Sequence, residues 1–177
     1  MKLFYSDISC QYHLRQVGRE VDEEVNAVKR ELDILEKAGV LNKERRVNKV
    51  IYSLNTRYIF FEEFLRLFTK EGTLVQSILK NVSRLGKVKF VALSTKYAKK
   101  QPIGQGEIYL LIVGTIVLPE VVAIVSAEEK NYGSEINYTV MTDEEFAFRK
   151  KNNDPFIWKF LREGLIMIKG EEDELLA

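Results

Sequence analysis

The feature that most constrains this chain is a helical repeat that stops at a glycine and is followed at once by two short strands. Apolar residues recur at spacings of three and four from Val25 to Ala38, which predicts an amphipathic helix. Gly39 stands where helices commonly end, so we expect the helix to stop near Ala38. A shorter helix is predicted over 12–21, and two strands joined by a tight turn are predicted between 40 and 54. The first part of the chain is therefore expected to hold a helix-turn-helix followed by a hairpin.

The charge of the chain is balanced overall and uneven locally. Hydrophobic residues make up 46% and charged residues 30%, which is typical of a globular protein. Lys and Arg total 27 against 26 for Asp and Glu, and this balance excludes a uniformly basic polyanion binder. The segment 42–57 nevertheless holds five cations against Glu44 alone, a formal charge of +4. Any nucleic-acid surface must be a local patch such as this one.

The second part of the chain alternates strands with helices. Strands are predicted over 88–93, 107–113, 135–141 and 165–168, with helices over 73–85, 118–129 and 143–150 and a further helix from 155. Because the pattern breaks around Gly72, we expect two domains, 1–70 and 71–177. The predicted fold class is α+β, with a small α/β second domain built on a mixed sheet.

The first domain resembles the winged helix-turn-helix regulators of the arsenic-repressor-like type. The resemblance is carried by Tyr12–Val17, by Val28–Leu32 with 35–39, and by the basic hairpin Arg45–Tyr52. It implies a regulator that binds double-stranded DNA, with the second helix in the major groove and the hairpin as a wing. Because only nine residues precede Cys10, the first helix of that fold is expected to be missing or shortened. The residues expected to contact base edges or phosphates are Asn26, Lys29, Arg30, Lys43, Arg45, Arg46, Asn48 and Lys49.

A homodimer is expected as well, since regulators of this type commonly bind paired half-sites with two-fold symmetry. The predicted helix over 58–70 carries more apolar residues than a solvent-facing helix needs, so we expect it to form the interface, with Phe64 and Phe68 at its centre.

The second domain resembles the minimal nucleotidyltransferase domain of the DNA polymerase beta superfamily, on the strands over 88–93 and 107–114 and the segment 133–140. Active members have a Gly-Ser loop that cradles a triphosphate and an Asp-x-Asp pair that holds two magnesium ions. This chain has Thr95-Lys96 and Glu107-x-Tyr109 at those places, with Asn137 near the third carboxylate. The resemblance therefore implies an inactive domain with no catalytic residue, metal or cofactor.

Two other functions stay open at this stage. One is an active nucleotidyltransferase that modifies a protein or RNA, as related domains in toxin-antitoxin systems do, with Glu107 as its one good metal ligand. The other is a scaffold whose winged helix contacts protein, which would bind with a weaker dependence on salt than a DNA binder.

The region 80–100 has seven cations and no acid, a formal charge of +7. It could bind a nucleotide, extend a DNA footprint or be a solvated surface, and a nucleotide or small-molecule effector is among the expected partners. The lone Cys10, the absence of a signal-like N-terminus and the absence of an apolar run of about 20 residues predict a cytoplasmic protein without a membrane partner.

Overall fold

The computed structural model describes residues 1–177, which form an α+β protein with ten helices and seven strands. The chain divides into two compact units, Met1–Thr69 and Lys70–Ala177. The longest helix has 15 residues, and no helix combines the length and apolar composition needed to cross a bilayer.

The first unit contains four helices and one small sheet. In chain order its elements are α1 (Lys2–Ser6), β1 (Gln11–His13), α2 (Leu14–Val21), α3 (Val25–Lys37), β2 (Leu41–Arg46), β3 (Lys49–Leu54) and α4 (Phe61–Lys70). The strands are antiparallel in the order β1-β3-β2, so β3 lies at the centre. Tyr52 on β3 stands opposite both Tyr12 on β1 and Lys43 on β2.

The core of the first unit is built by residues spaced for one helical face. Val28 and Leu32 on α3 are buried, as the three-and-four spacing requires. The five-residue α1 buries Phe4, whose ring meets the Tyr12 ring edge-on with 5.2 Å between centroids. The short α1 therefore contributes aromatic packing against β1.

The second unit is a four-stranded mixed sheet with helices between its strands. Its elements are α5 (Thr73–Lys80), β4 (Gly86–Ser94), α6 (Thr95–Ala98), β5 (Leu110–Ile116), α7 (Leu118–Tyr132), β6 (Tyr138–Met141), α8 (Asp143–Lys151), α9 (Pro155–Arg162), β7 (Leu165–Lys169) and α10 (Glu172–Leu176). The strand order is β6-β5-β4-β7, with β5 and β6 parallel and the other two pairs antiparallel. Residues 91–93 and 110–113 are buried on both faces of the two central strands, which explains their continuous apolar sequence.

Several boundaries differ from those expected. The helix that starts at Thr73 ends at Lys80 instead of continuing to 85, because the Asn81 side chain donates a hydrogen bond to the Ser77 carbonyl and ends the helix. The strand expected to begin at Glu107 begins at Leu110. Glu107 and Tyr109 therefore belong to the connection before β5, where the Tyr109 amide donates to the carbonyl of Asn137.

Candidate functional site

The outward face of α3 carries the polar residues expected to reach DNA bases. Asn26, Lys29 and Arg30 are all exposed, while Val28 and Leu32 on the opposite face are buried. Lys37 is also exposed and lies seven residues after Arg30, on the same side of the helix. The exposed face of α3 thus carries Asn26 and three cations, Lys29, Arg30 and Lys37.

The hairpin formed by β2 and β3 is tied to α3 by an ion pair. The Lys43 ammonium lies 2.6 Å from Asp33 Oδ1, and the same ammonium stands 5.7 Å from the centre of the Tyr52 ring. The hydrogen bond between them raises the pKa of Lys43 and lowers the pKa of Asp33. Lys43 is among the residues expected to contact DNA, and in the structure its ammonium is paired with Asp33, which links the hairpin to the helix.

The remaining hairpin cations differ in what they contact. Arg46 donates two hydrogen bonds to the Glu44 carboxylate, at 3.0 and 3.1 Å, and this contact raises the pKa of Arg46. Arg45, Asn48 and Lys49 are exposed and make no side-chain hydrogen bond or ion pair. These three are therefore the hairpin side chains most available to a phosphate group.

Acidic residues limit the extent of this surface. Asp22, Glu23 and Glu24 are exposed immediately before α3. Residues 1–69 hold 12 Lys and Arg against 11 Asp and Glu, so the positive charge is concentrated locally. The cationic surface consists of the middle of α3 and the hairpin, and it excludes the start of α3.

A second constellation surrounds Glu107 in the other unit. Its carboxylate accepts hydrogen bonds from Lys159 Nζ at 2.6 Å, from Lys96 Nζ at 2.9 Å and from the Gly104 amide at 2.8 Å. Lys96 Nζ also lies 3.0 Å from Glu163 Oε2. The Lys159 contact, followed by those of Lys96 and Gly104, lowers the pKa of Glu107 to about 2. Both carboxylate oxygens are thus already bonded within the unit.

Sheet register explains why these distant residues meet. β7 runs antiparallel beside β4, and Leu165 at the start of β7 stands opposite Ser94 at the end of β4. The end of α9, which precedes β7, is therefore placed next to α6, which follows β4. Glu163 lies at that end of α9 and Lys96 lies on α6.

The loop expected to correspond to a phosphate cradle has its amides occupied. The Thr95 amide donates to the Gly164 carbonyl at 3.1 Å, and the Lys96 amide donates to Ser94 Oγ, also at 3.1 Å. The Tyr109 hydroxyl donates to the carbonyl of Gln101 at 2.8 Å. Two backbone donors and the phenol are therefore committed to partners within the chain.

The space around Glu107 is small on one side and acidic on the other. A cavity between Glu107, Lys159 and Glu163 has a volume of about 10 Å³, which is room for about one water molecule. An open groove of about 350 Å³ on the other side includes Glu129 and Glu135, whose negative charges disfavour a nucleotide phosphate. No group of three or more His, Cys, Asp and Glu side chains converges on a point where a metal ion could bind.

The cations of the region 80–100 do not form one surface. Lys80, Arg84 and Lys87 lie at or before the start of β4, whereas Lys96 follows its end. Nine residues of strand separate those ends by about 26 Å. Arg84 pairs with Glu120 at 2.9 Å and Lys96 pairs with Glu107, so part of this charge is neutralised within the unit.

Lys159 and Glu163 were not predicted from the sequence as neighbours of Glu107. Lys159 and Glu163 are separated from Glu107 by more than 50 residues, and no spacing rule links them. The pairing of β7 with β4 brings these residues close to Glu107, and the sequence alone does not reveal that pairing.

No family model, no curated protein and no solved structure matches this chain. The function is therefore argued from the arrangement of its own residues.

Proposed function

We propose that this protein is a regulator that binds double-stranded DNA through a winged helix formed by its first unit, with α3 in the major groove and the β2–β3 hairpin as the wing. The observation that carries the proposal is that the cationic hairpin lies beside the exposed face of α3, to which it is joined by packing and by the Asp33–Lys43 ion pair. Two surfaces that must engage one duplex at the same time gain affinity from being held in that relation before binding.

The order of elements supports the same proposal. A helix, a short strand, two helices and a hairpin follow one another, and β1 completes a three-stranded sheet with the hairpin. An α-helix fits the major groove, and its polar side chains can reach base edges there. Arg45, Asn48 and Lys49 on the hairpin are exposed, so their side chains are accessible to phosphate groups.

The test is a selection from a pool of random duplex DNA. The full chain, an Arg45→Ala/Arg46→Ala variant and a control Lys87→Ala/Lys89→Ala variant are each mixed with the pool, and the retained duplexes are sequenced. The control removes two exposed cations from the other unit. We expect the full chain and the control to enrich the same DNA sequence, and we expect the hairpin variant not to enrich it. DNA recognition through the hairpin would be refuted if the full chain retained no DNA, or if all three proteins enriched the same sequence equally.

A dimer is part of the proposal, and apolar side chains around α4 support it. Ile59, Phe60 and Leu67 are 80%, 51% and 49% exposed, and packing against a second copy would remove this apolar surface from water. Phe64 and Phe68 are half-buried, and the Phe68 ring stacks on Tyr5 at 5.0 Å, so charging either of them would disrupt the fold of the unit.

The better probe of the dimer is therefore Leu67→Glu. We expect this variant to remain folded and to halve the mass measured in solution by light scattering. A folded variant with the mass of the unaltered chain, or an unaltered chain that is already monomeric, would contradict an interface at α4.

For the second unit we propose a role without catalysis. The Glu107 carboxylate is bonded to two ammonium groups, and Tyr109 offers a phenol where a second carboxylate is needed to hold two metal ions. Incubation with labelled nucleoside triphosphates and magnesium or manganese is expected to label neither protein nor RNA. Labelling that disappears in Glu107→Gln would overturn this proposal and favour an active nucleotidyltransferase.

A further inference from the structure

One large apolar side chain interrupts the polar outward face of α3. Ile34 is 57% exposed, although it lies in the middle of a helix whose other exposed residues are mostly charged or polar. It follows Arg30 by four residues, and Arg30 follows Asn26 by four. At about 100° of rotation per residue, the three side chains fall within a sector of about 80° on the helix surface.

We propose that Ile34 contacts the C5-methyl group of a thymine in the major groove, about two base pairs from a guanine that Arg30 contacts. This inference rests on the proposed function and adds the base that the helix selects. The major groove displays the thymine methyl group as its apolar feature, and apolar side chains are its usual partners. Arginine binds the O6 and N7 atoms of guanine through two hydrogen bonds.

The spacing of the two side chains suits bases that are about two steps apart. Four residues of α-helix advance by about 6 Å, and successive base pairs are about 3.4 Å apart along the duplex. Arg30 and Ile34 therefore reach bases separated by about two steps when α3 follows the groove.

The neighbours of Ile34 favour DNA over a second copy of the chain. Arg30 and Lys37 lie on one side of Ile34 around the helix and Glu31 lies on the other, and all three are exposed. The surface around Ile34 thus has a net positive charge of one, which favours the phosphate-rich surface of DNA over a second copy with the same net charge. The adjacent carboxylate of Asp33 is paired with Lys43, so its charge is offset where a phosphate would approach.

The test compares thymine with deoxyuridine, which lacks only the methyl group. Each thymine in the duplex enriched from the random pool is replaced in turn by deoxyuridine, and affinity is measured for the full chain, Ile34→Ala and Val122→Ala. Val122 is a matched control, because it is an exposed branched residue (44%) on a helix of the other unit. Burial of one methyl group corresponds to a change in affinity of about fourfold.

We expect at least one replacement to weaken binding by the full chain and by Val122→Ala about fourfold, and Ile34→Ala to bind both duplexes equally. The inference is overturned if no replacement weakens binding, if Ile34→Ala keeps the same sensitivity, or if the full chain binds DNA without a preferred sequence. Failure to retain any DNA from the pool would instead refute the proposed function itself. Light scattering compares the mass in solution of Ile34→Ala with that of the full chain. A smaller mass for the variant would assign Ile34 to a protein interface and overturn the inference.

Discussion

Removing two hairpin cations should change how DNA affinity depends on salt. Arg45 and Lys49 are exposed and make no side-chain hydrogen bond or ion pair, so both can contact phosphates in the proposed complex. Each phosphate contact contributes about 0.9 to the slope of log affinity against log salt concentration. The Arg45→Ala/Lys49→Ala variant should therefore have a slope about 1.8 smaller in magnitude than that of the full chain.

This slope has a consequence that is simple to measure. Between 50 and 200 mM salt, the affinity of the full chain should fall about twelvefold more than that of the variant. Fluorescence anisotropy with the enriched duplex measures both curves, and Lys87→Ala/Lys89→Ala serves as a control with the same change of charge in the other unit. Equal slopes for the full chain and the hairpin variant, or an equal loss of slope in the control, would refute the assignment of phosphate contacts to the hairpin.

Three further predictions concern stability, each measured by chemical denaturation of the full chain. His13 caps α2 by accepting a hydrogen bond from the Gln16 amide at 3.2 Å, so His13→Ala should lower the free energy of unfolding by about 1 kcal/mol; no change would show that the cap is unimportant. The pKa of Glu107 is lowered in the folded state from 4.5 to about 2, so its contribution is present above pH 4.5 and is lost as the pH falls towards 2. Between pH 4.5 and pH 2, the Glu107→Gln variant should therefore lose less of its free energy of unfolding than the unaltered chain loses. Equal pH dependence of the two proteins would contradict the ion-pair network. The buried Glu128 accepts hydrogen bonds from the Tyr97 hydroxyl at 3.1 Å and from the Thr73 hydroxyl at 2.5 Å, so Glu128→Ala should cost about 2 kcal/mol by removing the partner of both. Adding Tyr97→Phe to Glu128→Ala should cost little more, and fully additive losses would argue against this coupling.

The local parts of the fold could be predicted from the sequence. The helix predicted over 25–38 spans Val25–Lys37, and the strands predicted on either side of a tight turn span Leu41–Arg46 and Lys49–Leu54. These elements are specified by apolar spacing, by a glycine stop and by turn residues, all of which act over a few neighbouring positions. The three-residue β1 was not predicted, because a strand so short depends on its pairing with β3.

The arrangement around Glu107 could not be predicted in the same way. The sequence drew attention to Lys96 and Glu107, but it placed Glu107 on a strand and gave no reason to bring Lys159 to its carboxylate. That contact depends on the antiparallel pairing of β7 with β4, which joins segments more than 60 residues apart. The partners of Lys43 and Arg46 were missed for a related reason, since a count of charges does not show which cations are already paired.

The central claim is that the first unit binds DNA through α3 and the hairpin, and residue-by-residue amide chemical shifts test it most directly. The full chain, labelled with nitrogen-15, is titrated with the enriched duplex. We predict that the largest shifts fall within 26–37 and 43–49 and that the amides of 87–100 change little. Shifts confined to 80–100, or to the second unit as a whole, would contradict the account and assign DNA binding to the other half of the chain.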